Sequence, residues 1–296
     1  MPLYTAYGLG IDSILTLPEL ITDANKVDLV IKYDSIAEKP SPINNSPFHY
    51  WRNKQEIGLS WQKLGTFLIR EGREIIIASV ADVEEKNLHP ALLGACMAVA
   101  LHQREYLILH GSAVKIHNRA VAFIGDKGWG KSTMAAALVL RGHQFITDDV
   151  LAIDLSGNEP LVFPSFPQLK LCPDAVETMG KNPETLPRIM PQVNKRQYKL
   201  NQDFSTRPIP LQTIYLLNKG ASLSIDKIPT GKLILPLLAH SYGARFGKKL
   251  LALGEAKHFL QCTDLANQVN IYSLKRPSDL SLLTDIVNLV EQHISG

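Results

Sequence analysis

Residues 121–133 read VAFIGDKGWGKST. An apolar run ends in Gly125, four variable residues follow (Asp126, Lys127, Gly128 and Trp129), and Gly130-Lys131-Ser132-Thr133 completes the pattern. Glycines let the backbone curl so that successive N–H groups point at one anion, as a phosphate-binding loop requires. Such a loop needs a strand to deliver it and a helix to receive it, so the motif restricts the fold to an α/β class. Residues 120–125 read as that strand and residues 134–140 as that helix. Lys131 can neutralise the β- and γ-phosphates of a nucleotide, and Ser132 can place its hydroxyl on Mg²⁺. Gly125 to Thr133 are therefore the candidate nucleotide-binding residues, and a chance match is expected in roughly one of a hundred chains of this length.

Composition excludes several classes. The 296 residues allow one large domain or two smaller ones. A net charge of +3 with scattered Lys and Arg leaves no electrostatic footprint for nucleic acid. Cys96, Cys172 and Cys262 lack metal or disulfide spacing and read as reduced thiols, which suits a cytoplasmic protein. The first residues show no basic segment followed by an apolar run, so no signal peptide is expected. The longest apolar stretch, residues 90–101, is too short to cross a bilayer, so no membrane role is expected.

Three regions follow. Residues 1–85 read as a β-rich N-terminal module, with strands at 27–33, 57–61 and 65–79, the last broken at Glu71-Gly72, and a loop at 41–47. Residues 86–105 read as a connecting helix (87–104), apolar on nearly all sides and hence buried. Residues 106–296 read as the catalytic domain. There the strand 106–114 is interrupted at His110-Gly111-Ser112, and Arg141-Gly142 stops the loop's helix. Two short strands, 144–147 and 150–154, flank Asp148-Asp149, and residues 160–210 read as irregular apart from a short helix near 175–179. Strands at 214–217 and 271–274 and helices at 235–240, 255–267 and 277–293 complete the reading.

A phosphate loop alone suits ATPases, GTPases and kinases, so its neighbours must discriminate. Asp148 and Asp149 fall where a carboxylate can hold Mg²⁺, with the second available as a base for an incoming hydroxyl. Neighbours on a strand point to opposite faces, so both reach one site only if the strand has ended and the backbone bends. If the strand carrying His110 pairs with the loop's strand, His110 comes near the phosphates or the acceptor. Guanine recognition would read Asn-Lys-x-Asp, but Asn218-Lys219-Gly220 is followed by Ala221, which favours ATP over GTP. Gly8-Leu9-Gly10 lacks the third glycine of a dinucleotide site. Lys195-Arg196 and Arg276 are cations that either clamp an anion or face solvent, and Trp129 either covers the nucleotide or packs the loop.

With these residues in place, the chain resembles the HPr kinase/phosphorylase family. HGSAV (110–114), GDKGWGKST (125–133) and RGHQFITDD (141–149) follow that family's order and spacing. Tyr7-Gly8, Leu17-Pro18-Glu19-Leu20, residues 101–104 and Phe166-Pro167-Gln168-Leu169 look like the subgroup that accompanies peptide-modification clusters, including lasso-peptide precursor kinases. The resemblance implies a P-loop core of the PEP-carboxykinase-like kind and an ATP- and Mg²⁺-dependent kinase directed at a serine of a peptide or small molecule. It implies catalytic roles for Asp148, Asp149, His110 and Lys131, with Ser132 and Asp149 on the metal side, one aspartate being the base and the other supporting the metal. Because such relatives form oligomers, a homo-oligomer is an expectation too. Thr133 stands where the family has an acidic residue, and the later Pro-Gly-Arg-Asn-type signature has no match, which speaks against HPr as the acceptor. An ATP-binding regulatory module and a simple ATPase remain the alternatives.

Overall fold

The computed structural model describes residues 3–37, 46–53, 56–190, 192–200, 202–245 and 254–296; residues 41–45 of the expected loop at 41–47 lie outside them. β-Branched, aromatic and other apolar residues build a first sheet of seven strands: β1 (Leu3–Ala6), β2 (Leu9–Ser13), β3 (Leu29–Tyr33), β4 (Phe48–Asn53), β5 (Glu56–Trp61), β6 (Gly65–Arg70) and β7 (Glu74–Ser79). Their spatial order is β1-β2-β3-β7-β6-β5-β4. The strand-rich expectation for this region holds, and the break at Glu71-Gly72 is the β6–β7 hairpin, with both residues at positive φ. The β1–β2 hairpin was not legible: Tyr7 and Gly8 make its turn at φ 55° and 71°, which also explains the incomplete glycine pattern at Gly8-Leu9-Gly10.

A helical stretch, 89–103, follows, with a π-helical turn at Leu92–Cys96. It is buried nearly all round, as its sequence demands.

The second sheet contains β8 (Leu107–Ile116), β9 (Arg119–Ile124), β10 (Gln144–Asp154), β11 (Leu161–Val162), β15 (Ile209–Lys219), β16 (Ser224–Lys227) and β17 (Asn270–Arg276) in the order β11-β10-β8-β9-β15-β17-β16. β8 runs antiparallel to β9 and β10, whereas β9, β15 and β17 are parallel. The short β11 also pairs with β15, so five strands close into a ring. The loop's helix Lys131–Leu140 and the C-terminal helix Leu283–Ser295 pack together on one face of this sheet.

Four expectations change. Residues 160–210 are not irregular: β12 (Gln168–Leu171), β13 (Arg188–Met190) and β14 (Val193–Lys199) form a small third sheet in the order β12-β14-β13. Prolines at its borders and only short apolar runs hid it. The strand holding His110 continues without interruption to Ile116. The two strands expected around the acidic pair are one strand, β10, bulged between Phe145 and Thr147. The last helix also starts later than expected, after a 3₁₀ turn at Leu280–Leu282.

One apolar cluster joins the first sheet, the helical stretch and Val150 and Ala152 of β10. The first sheet is therefore packed onto the strand that carries the acidic pair. The helical stretch also meets helix Glu255–Gln268 through two buried histidines, His102 and His258, whose rings lie edge to face at 6.4 Å. Burial, and then the nearby His258, push His102 down to about 4.

Two outcomes follow from this packing. Phe67 is fully buried in the shared cluster, so Phe67→Ala should cost about 3–5 kcal/mol in urea denaturation. The unfolding should remain one transition whether followed by a signal from the first or the second sheet; two separated transitions would contradict the shared cluster. Between about pH 6.5 and 4 the unfolded chain holds a proton on His102 that the folded chain does not, so stability falls as pH falls through that window. His102→Gln should flatten this loss in denaturation curves measured across the window, and unchanged slopes would assign the acid sensitivity elsewhere.

Candidate active site

The site lies where three strands come level. Ile124, the last residue of β9, is paired with Gly111 of β8, which is paired with Asp149 of β10. Gly111 permits this close fit: a Cβ there would stand 2.9 Å from the Phe123 carbonyl oxygen and 3.1 Å from Leu151. The phosphate loop leaves β9 at this level, and the acidic pair stands two strands away.

Asp148 is buried and links four segments. Its Oδ1 accepts from Ser132 Oγ at 2.8 Å and from Ser112 Oγ at 2.6 Å, and its Oδ2 accepts from the Lys170 amide at 3.1 Å. The loop's hydroxyl is thus brought to Asp148 and not to Asp149, which the sequence expectation had set beside it on the metal side.

Asp149 points elsewhere because its backbone is left-handed, at φ 75° within an otherwise extended strand. This answers the alternation problem: the backbone does bend between the two carboxylates, but inside a continuous strand. Side chains other than glycine occupy this region rarely, and such strain gathers at functional positions. Asp149 Oδ1 lies 3.1 Å from His110 Nδ1, and Asp149 Oδ2 accepts from Lys170 Nζ at 3.3 Å. His110 Nδ1 also lies 3.1 Å from the Asp149 carbonyl oxygen. Both Asp149 partners of that nitrogen only accept, so the hydrogen sits on Nδ1. Beneath the pair, the Tyr7 phenol is fully buried, and its pKa is raised by that burial and then by the charge of Asp149.

The loop is braced from both sides. Gly125, Gly128 and Gly130 have positive φ. Lys131 Nζ donates to the carbonyl oxygens of Gly125 (2.8 Å) and Asp126 (3.0 Å), which curls its side chain over its own loop. Asp126, Lys127 and Gly128 are exposed, and Thr133 lies in the helix's first turn. Trp129 packs against the apolar cluster beneath the loop, with Lys219 Nζ 6.0 Å from its ring centre, and its carbonyl accepts from the Arg276 guanidinium. Arg276 is thereby a brace of the loop. Arg196 is structural, bonded to the Pro183 carbonyl and to Glu184 at 2.8 Å each. His240 stands at the loop's other side, its Nδ1 4.0 Å from Asp126 Oδ1, while its carbonyl accepts the His110 amide at 2.7 Å. Burial lowers the pKa of His240.

The site therefore brings together His110, Lys131, Ser132, Asp148 and Asp149. Sequence reasoning missed Ser112, Lys170 and His240. Ser112 lay inside a motif already singled out, whereas Lys170 had no signal, because it stands on a strand of the sheet that the sequence concealed.

The loop offers a graded test. Gly130 has φ 83° and a Cβ there would stand 2.4 Å from an Arg276 guanidinium nitrogen; Gly128 has the same φ but open space around it. Gly128→Ala should cost about 1–2 kcal/mol of backbone strain. Gly130→Ala should weaken binding of inorganic tripolyphosphate further, by calorimetry, because it also displaces the arginine. Equal losses would remove the Arg276 brace from the account.

Comparison with known proteins adds a relationship to this geometry. Residues 100–169 match the family model described as HPr Serine kinase C-terminal domain. The HPr kinase/phosphorylase of Prosthecochloris aestuarii (strain DSM 271 / SK 413) is 40% identical over 58 residues, covering 20% of this chain and 17% of that protein. The HPr kinase/phosphorylase of Chlorobium phaeovibrioides (strain DSM 265 / 1930) is 44% identical over 52 residues, covering 18% of this chain and 16% of that protein. The chain thus matches less than a fifth of the length of these two curated relatives. The solved structure of the Hpr(Ser) kinase/phosphatase from Coxiella burnetii aligns with a TM-score of 0.35 and 14% identity, over 64% of this chain and 99% of that one. Residues 100–169, which hold strand β8, the phosphate loop and the acidic pair, are similar to the HPr serine kinase C-terminal domain.

Proposed function

We propose that this chain is an ATP-dependent kinase that transfers the γ-phosphoryl group to a hydroxyl, a serine of a peptide or small molecule, and that HPr is not its acceptor. The observation that carries this reading is the division of labour in the acidic pair. Asp148 is bonded to the loop's Ser132, while Asp149, one residue on, is turned away and held by His110 and Lys170.

Hard oxygen donors suit Mg²⁺, which is held by one or two carboxylates together with nucleotide phosphates. Ser132 and Asp148 fit that requirement, since their oxygens already converge at 2.8 Å beside the loop. When bound, Mg²⁺ would neutralise charge on the β- and γ-phosphate oxygens. The loop amides and the helix N-terminus would cradle the triphosphate, and Lys131 would exchange its two loop carbonyls for phosphate oxygens. Asp149 would take the acceptor's hydroxyl proton as the acceptor oxygen bonds to the γ-phosphorus and the bond to ADP breaks. His110 and Lys170 would aim the Asp149 carboxylate, and Lys170 would offset charge on the transferring group. This assigns Asp148 to the metal and Asp149 to the base. Positioning supplies most of the rate.

Three variants separate the parts. Lys131→Ala should abolish transfer from labelled ATP while leaving the thermal unfolding profile close to wild type; full retained activity would overturn the loop assignment. Asp149→Asn should lower turnover by roughly 10²–10⁴-fold with ATP affinity kept. Asp148→Asn should instead shift the Mg²⁺ dependence of ATP binding, and the reverse pattern would exchange the two roles.

A further inference from the structure

The small sheet carries a polar face that runs from the acidic pair into a cavity. On β12, Gln168 and Lys170 are two residues apart, so their side chains share one face at a spacing of about 7 Å. Their register partners on β14 are Lys199 and Gln197, and directly opposed residues share a face. Leu169 between them and Leu171 beyond turn the other way, into the apolar cluster beneath the loop's helix. Lys170 ends this face at Asp149. At the other end a cavity of about 440 Å³ opens, lined in part by Gln168, Gln197, Lys181 and Lys199 from the small sheet and its approach and by Pro18 and Glu19 from the N-terminal module. Its size lies within the range of about 300–1,000 Å³ usual for ligand sites.

The charges select a ligand. Lys181 and Lys199 are exposed at the cavity, with Lys199 Nζ also donating to the Pro18 carbonyl at 3.1 Å. The carboxylate in the wall, Glu19, is buried and bonded to His89 Nδ1 at 3.0 Å. Nearby Glu184 is paired with Arg196. The cavity thus presents two ammonium groups and two side-chain amides toward an occupant, set among the apolar Leu186, Pro187 and Tyr198.

We infer that this cavity, continued along the polar face of the small sheet, seats the phosphoryl acceptor, and that the acceptor is an acidic peptide segment bearing the reacting hydroxyl. The inference rests on the kinase reading only for the word acceptor. Bound there, acidic side chains meet Lys181 and Lys199, backbone amides meet Gln168 and Gln197, and a hydroxyl further along the face comes to Asp149. The N-terminal module thereby supplies one wall of the acceptor site, and no residue of the phosphate loop is needed for the acidic segment to bind.

The test reads peptide binding apart from chemistry. Two fluorescent synthetic peptides of equal length each carry one serine, flanked in one by Asp and Glu and in the other by Lys. Anisotropy is measured with the full chain, Mg²⁺ and a non-hydrolysable ATP analogue. The acidic peptide should bind more tightly, and Lys181→Glu combined with Lys199→Glu should weaken it roughly tenfold or more and reduce its advantage over the lysine-flanked peptide. Lys181→Glu alone, which leaves the Lys199 contact with Pro18 intact, should give part of that loss. Lys131→Ala should keep acidic-peptide binding. Binding of neither peptide, equal binding of both, or indifference of the acidic peptide to the reversals would overturn the seat. Charge-dependent binding of the acidic peptide with no transfer from ATP would support the seat and overturn the kinase reading instead.

Discussion

Asp148 Oδ1 accepts hydrogen bonds from Ser132 at the start of the loop's helix and from Ser112 on β8, while Oδ2 accepts from the backbone of β12. One buried carboxylate thus ties together the loop, two strands of the central sheet and the small third sheet. A buried charge is tolerated only when its lone pairs are filled by donors, and the three donors come from segments far apart in the chain. Each segment's placement is therefore conditional on the others. The loop's position relative to the acidic pair, the small sheet's docking and the direction in which Asp149 is left to point all follow from this one junction.

Asp149 is the complement of that arrangement. Its left-handed backbone is strained for a side chain other than glycine, and it persists because the strand continues on both sides and Val150 and Ala152 are locked into the apolar cluster of the first sheet. The first sheet with its turns is therefore more than an appendage. It packs behind the acidic pair, places Tyr7 beneath Asp149 and lines the cavity beside the small sheet.

Much of the core was legible. The strand–loop–helix at 120–140 and the buried helical stretch near 89–103 rest on short-range patterns, a glycine motif and a continuous apolar run, whereas the pairing of His110's strand with the loop's strand stood as a condition that the structure meets. The third sheet was not legible, since its strands are short, bordered by prolines and partly polar on one face. Arg196 illustrates the same limit: as a sequence it was one of two adjacent cations, and as a structure it is buried and bonded to a carbonyl and a carboxylate.

By itself the sequence determined that a phosphate loop follows a strand and opens a helix, and that two carboxylates, a histidine and a lysine accompany it. These are local facts, set by residue type and spacing along the chain. Only the tertiary structure decided which carboxylate faces the loop's serine and which faces His110. That choice depends on a left-handed residue inside a strand and on donors from β8 and β12, and neither the bend nor the partners lie within hydrogen-bonding reach until the sheets have formed. Lys170 entered the site for the same reason: a lysine on a concealed strand has no meaning until register and face bring its amine to Asp149.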